Sequence, residues 1–458
     1  MRELMPEGID KFCYPSSNVC LRSDILIPAK SDVDTESRVH HTSAGIYRTT
    51  VWALCDQAIV SGGNFLTNLV LIRSLSPPSY GVYALLLNLL LFLNNLHAAM
   101  IAYPTCIIGA RSDPQALRGV ATGGLLATLS AAVVNGALII GACISVHNPR
   151  LVPVVLLAAL AWQLQETLRT VFVSQLEYRR AIAGDAISYI GQAGILASLC
   201  VYRLPGLSTI FCVIFFTSVG AGIFQASQIR PHGVEWDALR SYARELVRLG
   251  KWGVLAKIMA FFSLQAFPWV LAYTRGLASV ASFQALFQLV ALANPLLLSF
   301  NGLIISSIAR EANSTDSPDG MTRASKQIRL AAVIFALYFT GLALGGRIAM
   351  NFLYGRGSPY LANTSLVRYF ALAYAFEAVS MFAGAILGGF GETRATFVSQ
   401  LAAMAVAILF VIPWIIHSGL SAAVIGLVAV NGTRAAAGWF LVRYTAVKRA
   451  SAPIEVPV

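Results

Sequence analysis

Charge is scarce in this chain. Only 12% of its 458 residues are Asp, Glu, Lys or Arg, about half the share a soluble domain carries, so a water-facing surface over most of the length is excluded. The seven cysteines (Cys13, Cys20, Cys55, Cys106, Cys143, Cys200 and Cys212) form no CxxC pair and gather no histidines around them. They read as small apolar fillers, and neither zinc, another metal, a disulfide framework nor a cofactor is expected. No Walker-type phosphate loop is present, which argues against ATP hydrolysis. Residues 1–45 are too polar to hold the apolar stretch of a secretory signal, so residues 1–50 are expected to stay in the cytoplasm as a partly disordered tail.

What the chain has in quantity is hydrocarbon: 57% of its residues are hydrophobic and its mean hydropathy is +0.68. Uncharged runs recur, for example residues 119–146 and 204–228. A bilayer core of about 30 Å needs about 20 apolar residues in a helix, and backbone groups in lipid must be satisfied within the segment. The expected fold is therefore all-α, a polytopic membrane protein of about 12 transmembrane helices. The hydropathy pattern places them at 51–72, 81–109, 119–146, 151–173, 181–201, 206–226, 252–274, 278–309, 327–353, 363–390, 395–417 and 420–443.

The net charge of +12 invites a nucleic-acid reading. The basic residues lie between the apolar runs, however, so they fit control of topology, and no nucleic-acid partner is expected. With the amino terminus in the cytoplasm, 23 of the 33 Lys and Arg fall on the cytoplasmic side, seven on the other, and Arg169, Lys257 and Arg434 within spans. By the positive-inside rule both termini are expected to be cytoplasmic. The most basic connection, 227–251, carries Arg230, Arg240, Arg244, Arg248 and Lys251. Trp236, Leu239, Tyr242 and Leu246 give it the pattern of an amphipathic helix resting on anionic headgroups; a plain charged linker is the alternative.

That connection divides the chain into bundles at 51–226 and 252–445, with a tail at 446–458. The halves resemble each other. Arg73 recurs as Arg275, Ala84-Leu85 as Ala285-Leu286, and Ile108-Gly109-Ala110-Arg111 as Ser307-Ile308-Ala309-Arg310, at offsets between about 199 and 202. Six helices is an even number, so two pseudo-symmetric six-helix bundles in parallel orientation are expected, facing each other across a cleft.

Residues 56–68 (DQAIVSGGNFLTN) followed by 75–85 (LSPPSYGVYAL) resemble the first two helices of polysaccharide-repeat flippases, the Wzx-like branch of the multidrug/oligosaccharidyl-lipid/polysaccharide exporter superfamily. The resemblance is best over roughly residues 50–110 and agrees elsewhere in helix number and 6+6 layout. It implies flipping of an undecaprenyl-diphosphate-linked oligosaccharide across the cell inner membrane by alternating access. The implied partners are that polyprenyl-diphosphate-linked saccharide, membrane lipids, and polysaccharide polymerase and export proteins.

Ionisable side chains within spans cost several kcal/mol and are functional candidates. Asp56 and Lys257 stand at equivalent places in the two halves and could close the inward mouth as an ion pair that a diphosphate opens; snorkelling to headgroups is the alternative. Glu166 and Arg169, three apart, share a helix face and could neutralise each other, while Gln163 and Gln165 make that segment polar. Arg434 and His97 are candidates for phosphate or sugar, His97 against the alternative of a hydrogen bond inside the bundle. Arg73 and Arg275 end two helices and could steer a departing headgroup or anchor at the interface. Asp185 and Glu377 could relay protons or accept sugar hydroxyls. Ser61-Gly62-Gly63-Asn64 and Pro268 are expected to loosen the first and seventh helices, with close packing an equal explanation for the glycines.

A cation-coupled multidrug exporter of the same superfamily is the competing reading, with Asp56 and Glu377 as coupling carboxylates. A membrane enzyme is disfavoured, because the outer loops are only a few residues long and hold no carboxylate.

Overall fold

In the computed structural model, residues 43–202, 205–233, 236–312 and 319–450 are described. The tail up to residue 42, Cys13, Cys20, the side chains of Arg310 and Arg323, and residues 451–458 lie outside them. The described chain is helical throughout and contains no strand. Twelve passes follow one another: α1 (Ser43–Ser74), α2 (Pro77–Ala110), α3 (Pro114–Ser145), α4 (Pro149–Ser174), α5 (Tyr178–Tyr202) and α6 (Leu207–Ile229). Then come α7 (Trp236–Gln265 with Phe267–Arg275), α8 (Leu277–Ala291 with Asn294–Ala312) and α9 (Asp319–Tyr354). The last three are α10 (Pro359–Gly389), α11 (Arg394–Ser418) and α12 (Leu420–Ala450).

Nine of these are long and apolar enough to cross a membrane, and eleven when the bent helices α7 and α8 each count as one span. The remaining pass, α1, carries Asp56, Gln57, Asn64 and Asn68, which hold its hydropathy down. Large apolar side chains such as Val133, Leu337, Leu344 and Phe352 stand on the outer surface, each more than two-thirds exposed. That suits hydrocarbon and not water. The chain is a multi-pass membrane protein.

Most helix irregularities have a local cause. Of four wide π-type turns among the described residues, the one at Ala186–Ile190 in α5 has no proline after it; the others are at Ala98–Ala102 in α2, Phe261–Gln265 in α7 and Ala407–Val411 in α11. Pro104, Pro268 and Pro413 follow them, and the residue four before each proline falls inside the wide turn. Proline has no N–H and its ring collides with that carbonyl, so the turn opens to accommodate it. In α8 the chain bends by 47° just before Pro295, and α7 bends by 40° just before Pro268. The expected loosening of α7 is thus present. The expected interruption of α1 is not: Ser43–Ser74 is one continuous α-helix through Ser61–Asn64. Close packing explains Gly63 instead, since a Cβ there would fall 2.6 Å from Cβ of Tyr189 on α5.

Helices α1–α6 and α7–α12 form two lobes, and an even number of passes in each returns both ends of the described chain to one face, the terminal face. At the opposite, far face the lobes are sealed. α2 packs against α8 so closely that a Cβ on Gly81 would meet the Leu277 carbonyl oxygen at 2.1 Å. The repeated pairs Ala84-Leu85 and Ala285-Leu286 are all buried on these two helices. Trp269 Nε1 donates to Asn88 Oδ1 across the seam at 3.1 Å, and Arg73 donates Nε to Leu353 O at 2.5 Å and Nη2 to Phe352 O at 2.9 Å. Gly81→Ala is accordingly expected to force the far-face seal apart. Faster thiol labelling of a cysteine introduced at Tyr83, which is fully buried in the sealed form, would report it; unchanged labelling would mean that α2 and α8 yield elsewhere.

At the terminal face the basic connection is helical from Trp236 and continuous with α7. Part of its apolar side meets protein: Tyr242 and Thr105 hydroxyls lie 2.6 Å apart, Leu246 is buried, and Gly250 lies against Met100 of α2, while Trp236 stays 75% exposed. The arginines Arg240, Arg244 and Arg248 stay exposed. The first half of α7 therefore sits on the first lobe, and its second half, beyond the bend, belongs to the second.

Candidate functional site

The residues singled out in the spans fall into two clusters and one isolated cation. In the first lobe, Arg169 of α4 engages three carboxylates with three different nitrogens. Its Nε donates to Asp185 Oδ2 of α5 at 2.6 Å, its Nη1 to Glu166 Oε1 at 3.1 Å, and its Nη2 to Asp56 Oδ2 of α1. Gln165 Nε2 donates to the other Asp185 oxygen at 3.2 Å, and Ser188 Oγ to Gln165 Oε1 at 2.9 Å. The side chains of Arg169, Asp56 and Asp185 are 5%, 3% and 0% exposed, and that of Glu166 17%. A guanidinium withdrawn from water needs such acceptors, since burying it unpaired costs several kcal/mol.

This arrangement corrects the expected Asp56–Lys257 ion pair. Asp56 is held by Arg169 of its own lobe, although the helix that packs along α1 is α5 and not α4. The Glu166–Arg169 pair exists, but as one edge of a larger network. If all three carboxylates are ionised, the cluster carries two negative charges in excess. Asp56 Oδ1 and both polar atoms of Gln225 (α6) are buried without a partner in the described protein, where such groups are normally bonded.

The second cluster lies in the other lobe. Arg434 of α12 pairs with Glu377 of α10 and reaches Gln400 Oε1 of α11 at 3.4 Å and Asn431 Oδ1 at 3.3 Å. Gln400 Nε2 in turn donates to Ser263 Oγ of α7 at 3.1 Å. Six of the seven in-span charges are thereby accounted for.

Lys257 is the seventh. It is half-buried and forms no ion pair among the described residues. Gly250, Gly253, Lys257 and Phe261 recur every three or four positions and so share one face of α7. Three of them meet α2: Gly250 at Met100, Gly253 at Ala99, and Phe261 at Phe92 with ring centroids 4.4 Å apart. Lys257 is therefore on the seam between the lobes.

The other expected residues are placed apart from these. His97 is buried with Nε2 3.0 Å from both Thr128 and Thr167 hydroxyls, a hydrogen-bonded position inside the first lobe. Arg73 is at the far-face seal, and its counterpart Arg275 instead donates to His417 O within the second lobe. The carbonyl of Asn64 accepts from Asn68 Nδ2 at 2.9 Å, and its side chain joins neither cluster. None of the five described cysteines forms a disulfide, and no group of three or more metal-type ligands occurs among the described residues. Gln225, Gln400, Asn431 and Ser263 were not anticipated; amides inside apolar runs, such as Gln225 within 204–228, were the available signal.

No protein-family profile and no curated protein matches the chain. Solved structures do share its fold. An inward-facing multidrug resistance MATE family transporter of the MOP superfamily aligns with a TM-score of 0.67 and 16% identity, over 86% of this chain and 96% of that one. An outward-facing multidrug resistance MATE transporter aligns with a TM-score of 0.63 and 15% identity, over 88% and 96%. A MOP superfamily transporter from Pyrococcus furiosus, described as having a binding pocket of reversed polarity, aligns with a TM-score of 0.60 and 14% identity, over 89% and 96%. At such identities the likeness is one of fold: the chain has the two-lobe fold of MOP superfamily transporters.

Proposed function

We propose that this chain is an alternating-access transporter that takes a polyprenyl-diphosphate-linked oligosaccharide from the cytoplasmic leaflet of the inner membrane and releases it at the opposite leaflet. The observation that carries this reading is Lys257, a half-buried cation without an ion pair among the described residues, on the seam between the lobes. A cation kept at such a place is functional by default, and a diphosphate is the partner its charge lacks. The carboxylates that would repel an anion are drawn off into the two lobes by Arg169 and Arg434. The seal at the far face leaves loading to the terminal face, which the 23-to-7 bias of basic residues makes cytoplasmic. Partnership with a polysaccharide polymerase and export proteins belongs to the same reading.

A second reading, cation-coupled multidrug export, is favoured by one observation: three carboxylates share the guanidinium of Arg169, and a proton or a monovalent cation would balance any charge in excess. Two of the structural neighbours are multidrug resistance transporters.

The readings part on what the protein carries. Mass spectrometry of lipids co-purified in membrane discs should recover a polyprenyl-diphosphate saccharide. Bulk phospholipid alone, together with gradient-dependent drug efflux, would favour the second reading. In the first, Lys257→Ala should lower translocation at least tenfold in vesicles while membrane insertion stays normal. Undiminished glycan output from that variant would remove Lys257 from the site.

A further inference from the structure

The first half of α7 carries an outward stripe whose chemistry changes once along its length. Arg240, Arg244, Lys251, Leu255, Ile258 and Phe262 are exposed, and steps of three, four or seven positions put them on one side of the helix. Arg248 and Trp252 flank them. From Arg240 to Lys251 the stripe is basic apart from Val247, and from Trp252 onward it is apolar. Trp252 stands at the change, with Lys251 Nζ 5.9 Å from its ring centroid.

The change marks a depth. Tryptophan collects at the border between headgroups and hydrocarbon, and exposed Leu, Ile and Phe beyond it suit lipid tails. The level agrees with α2. Gly250 lies against Met100, and α2 from Pro77 to Met100 is about 36 Å long at 1.5 Å per residue. That is enough to cross a core of about 30 Å. The remainder of α2, up to Ala110, therefore stands beyond the hydrocarbon together with the basic part of the stripe.

Packing holds the stripe outward. Tyr242, Leu246 and Gly250 dock on the first lobe. Met259 and Ser263 are buried, and Ser263 accepts from Gln400 of α11 in the second lobe. The helix cannot roll its cations under protein. Of the acidic residues on this segment, Glu245 pairs with Arg248, and Asp237 lies one turn before Arg240. Arg244 and Lys251 form no ion pair among the described residues. Cations fixed at the border of the hydrocarbon and continuous with an apolar strip match a lipid with an anionic headgroup. An acidic protein could reach the cations but not the strip below them.

We propose that Arg244, Arg248, Lys251 and Trp252 form a docking surface for anionic phospholipid of the terminal-face leaflet. The cations meet the headgroup, and the acyl chains lie along Leu255, Ile258 and Phe262. The site lies outside the bundle and uses none of the in-span charges, so it holds for either cargo. Because α7 is docked on both lobes, leaflet composition acts on the helix that joins them.

The test is native mass spectrometry of the purified full chain, stripped of lipid and offered equimolar phosphatidylglycerol and phosphatidylcholine. Wild type should retain phosphatidylglycerol in excess. Each cation near an anionic surface favours it about fivefold, and Arg248 is shared with Glu245. Arg244→Gln, Arg248→Gln and Lys251→Gln combined should therefore reduce the excess roughly tenfold. Arg244→Lys with Arg248→Lys keeps the charge and should keep the excess, which a fold disturbed at the stripe would not. Arg329→Gln, Arg443→Gln and Lys448→Gln combined remove exposed cations from the same side of the second lobe and should leave most of the excess. The site is overturned by no excess in wild type, by an undiminished excess in the triple stripe variant, or by loss in the lysine pair. An equal loss in the second-lobe control would overturn it as well, by spreading the attraction over the whole face.

Discussion

Arg169→Leu is expected to lower the yield of folded protein sharply. The substitution keeps volume and helix propensity but strands three carboxylates that Arg169 now holds, two of them on side chains no more than 3% exposed. Breaking one partner out of a buried ionic network costs about 3–5 kcal/mol, because the remaining charges stay in a medium that solvates them poorly. A domain's whole stability is about 5–15 kcal/mol, so this is a large fraction of what holds the lobe together. The measurement is the temperature at which the detergent-solubilised protein loses its monodisperse elution peak, which should fall by many degrees. Adding Asp56→Asn and Asp185→Asn to Arg169→Leu should recover part of the loss, since neutral amides in that niche no longer need a counter-charge. Wild-type thermal behaviour of Arg169→Leu alone would mean that the carboxylates are already neutral in the folded protein and that the guanidinium is dispensable.

Arg73→Ala is expected to move the conformational balance toward opening at the far face. Arg73 is on α1 of the first lobe, and both of its acceptors, Phe352 O and Leu353 O, are in the last turn of α9 in the second. The last carbonyls of a helix have no acceptor role within it and carry its negative dipole end, so a cation there is favoured twice over. Arg73 itself is solvent-exposed, which weakens the clasp relative to a buried one. A shift of about tenfold in the open population, on the order of 1.4 kcal/mol, is a reasonable expectation. Arg275 is the internal control: it stands at the equivalent place but docks on His417 O of its own lobe, so Arg275→Ala should leave the lobes where they are. Distances between spin labels at the far ends of α2 and α9, recorded in lipid, would separate the cases. If Arg73→Ala and Arg275→Ala give the same distance distribution as wild type while Gly81→Ala broadens it, the seal depends on helix packing and not on the arginine.

Helix number, order and limits were readable in the residues, because a span announces itself by twenty apolar positions and needs no information from elsewhere in the chain. The boundaries drawn from hydropathy fall within a few residues of the observed helices at most ends. The largest exception, the start of α7 at Trp236, arises because its first turns carry exposed arginines and no apolar run marks them; the starts of α1 and α9 and the end of α12 also lie seven or eight residues beyond the apolar stretch. The pairing of charges was not readable in the same way. Glu166 and Arg169 are neighbours along one helix and their contact follows from spacing, but Asp56 meets Arg169 across 113 positions, and Glu377 meets Arg434 across two helices. Equivalent offsets in the two halves suggested Asp56 with Lys257, and the offset was a poor guide because repeat symmetry relates positions without bringing them together.

The sequence by itself therefore determined that this is a helical membrane protein of two repeated halves, since transfer of apolar and charged groups between water and lipid is a property of each segment alone. Only the tertiary structure decided which charges neutralise one another, and that Lys257 stands on the seam with no ion pair among the described residues. Those outcomes depend on how helices from distant parts of the chain rotate against each other, and no local pattern of residues encodes a rotation.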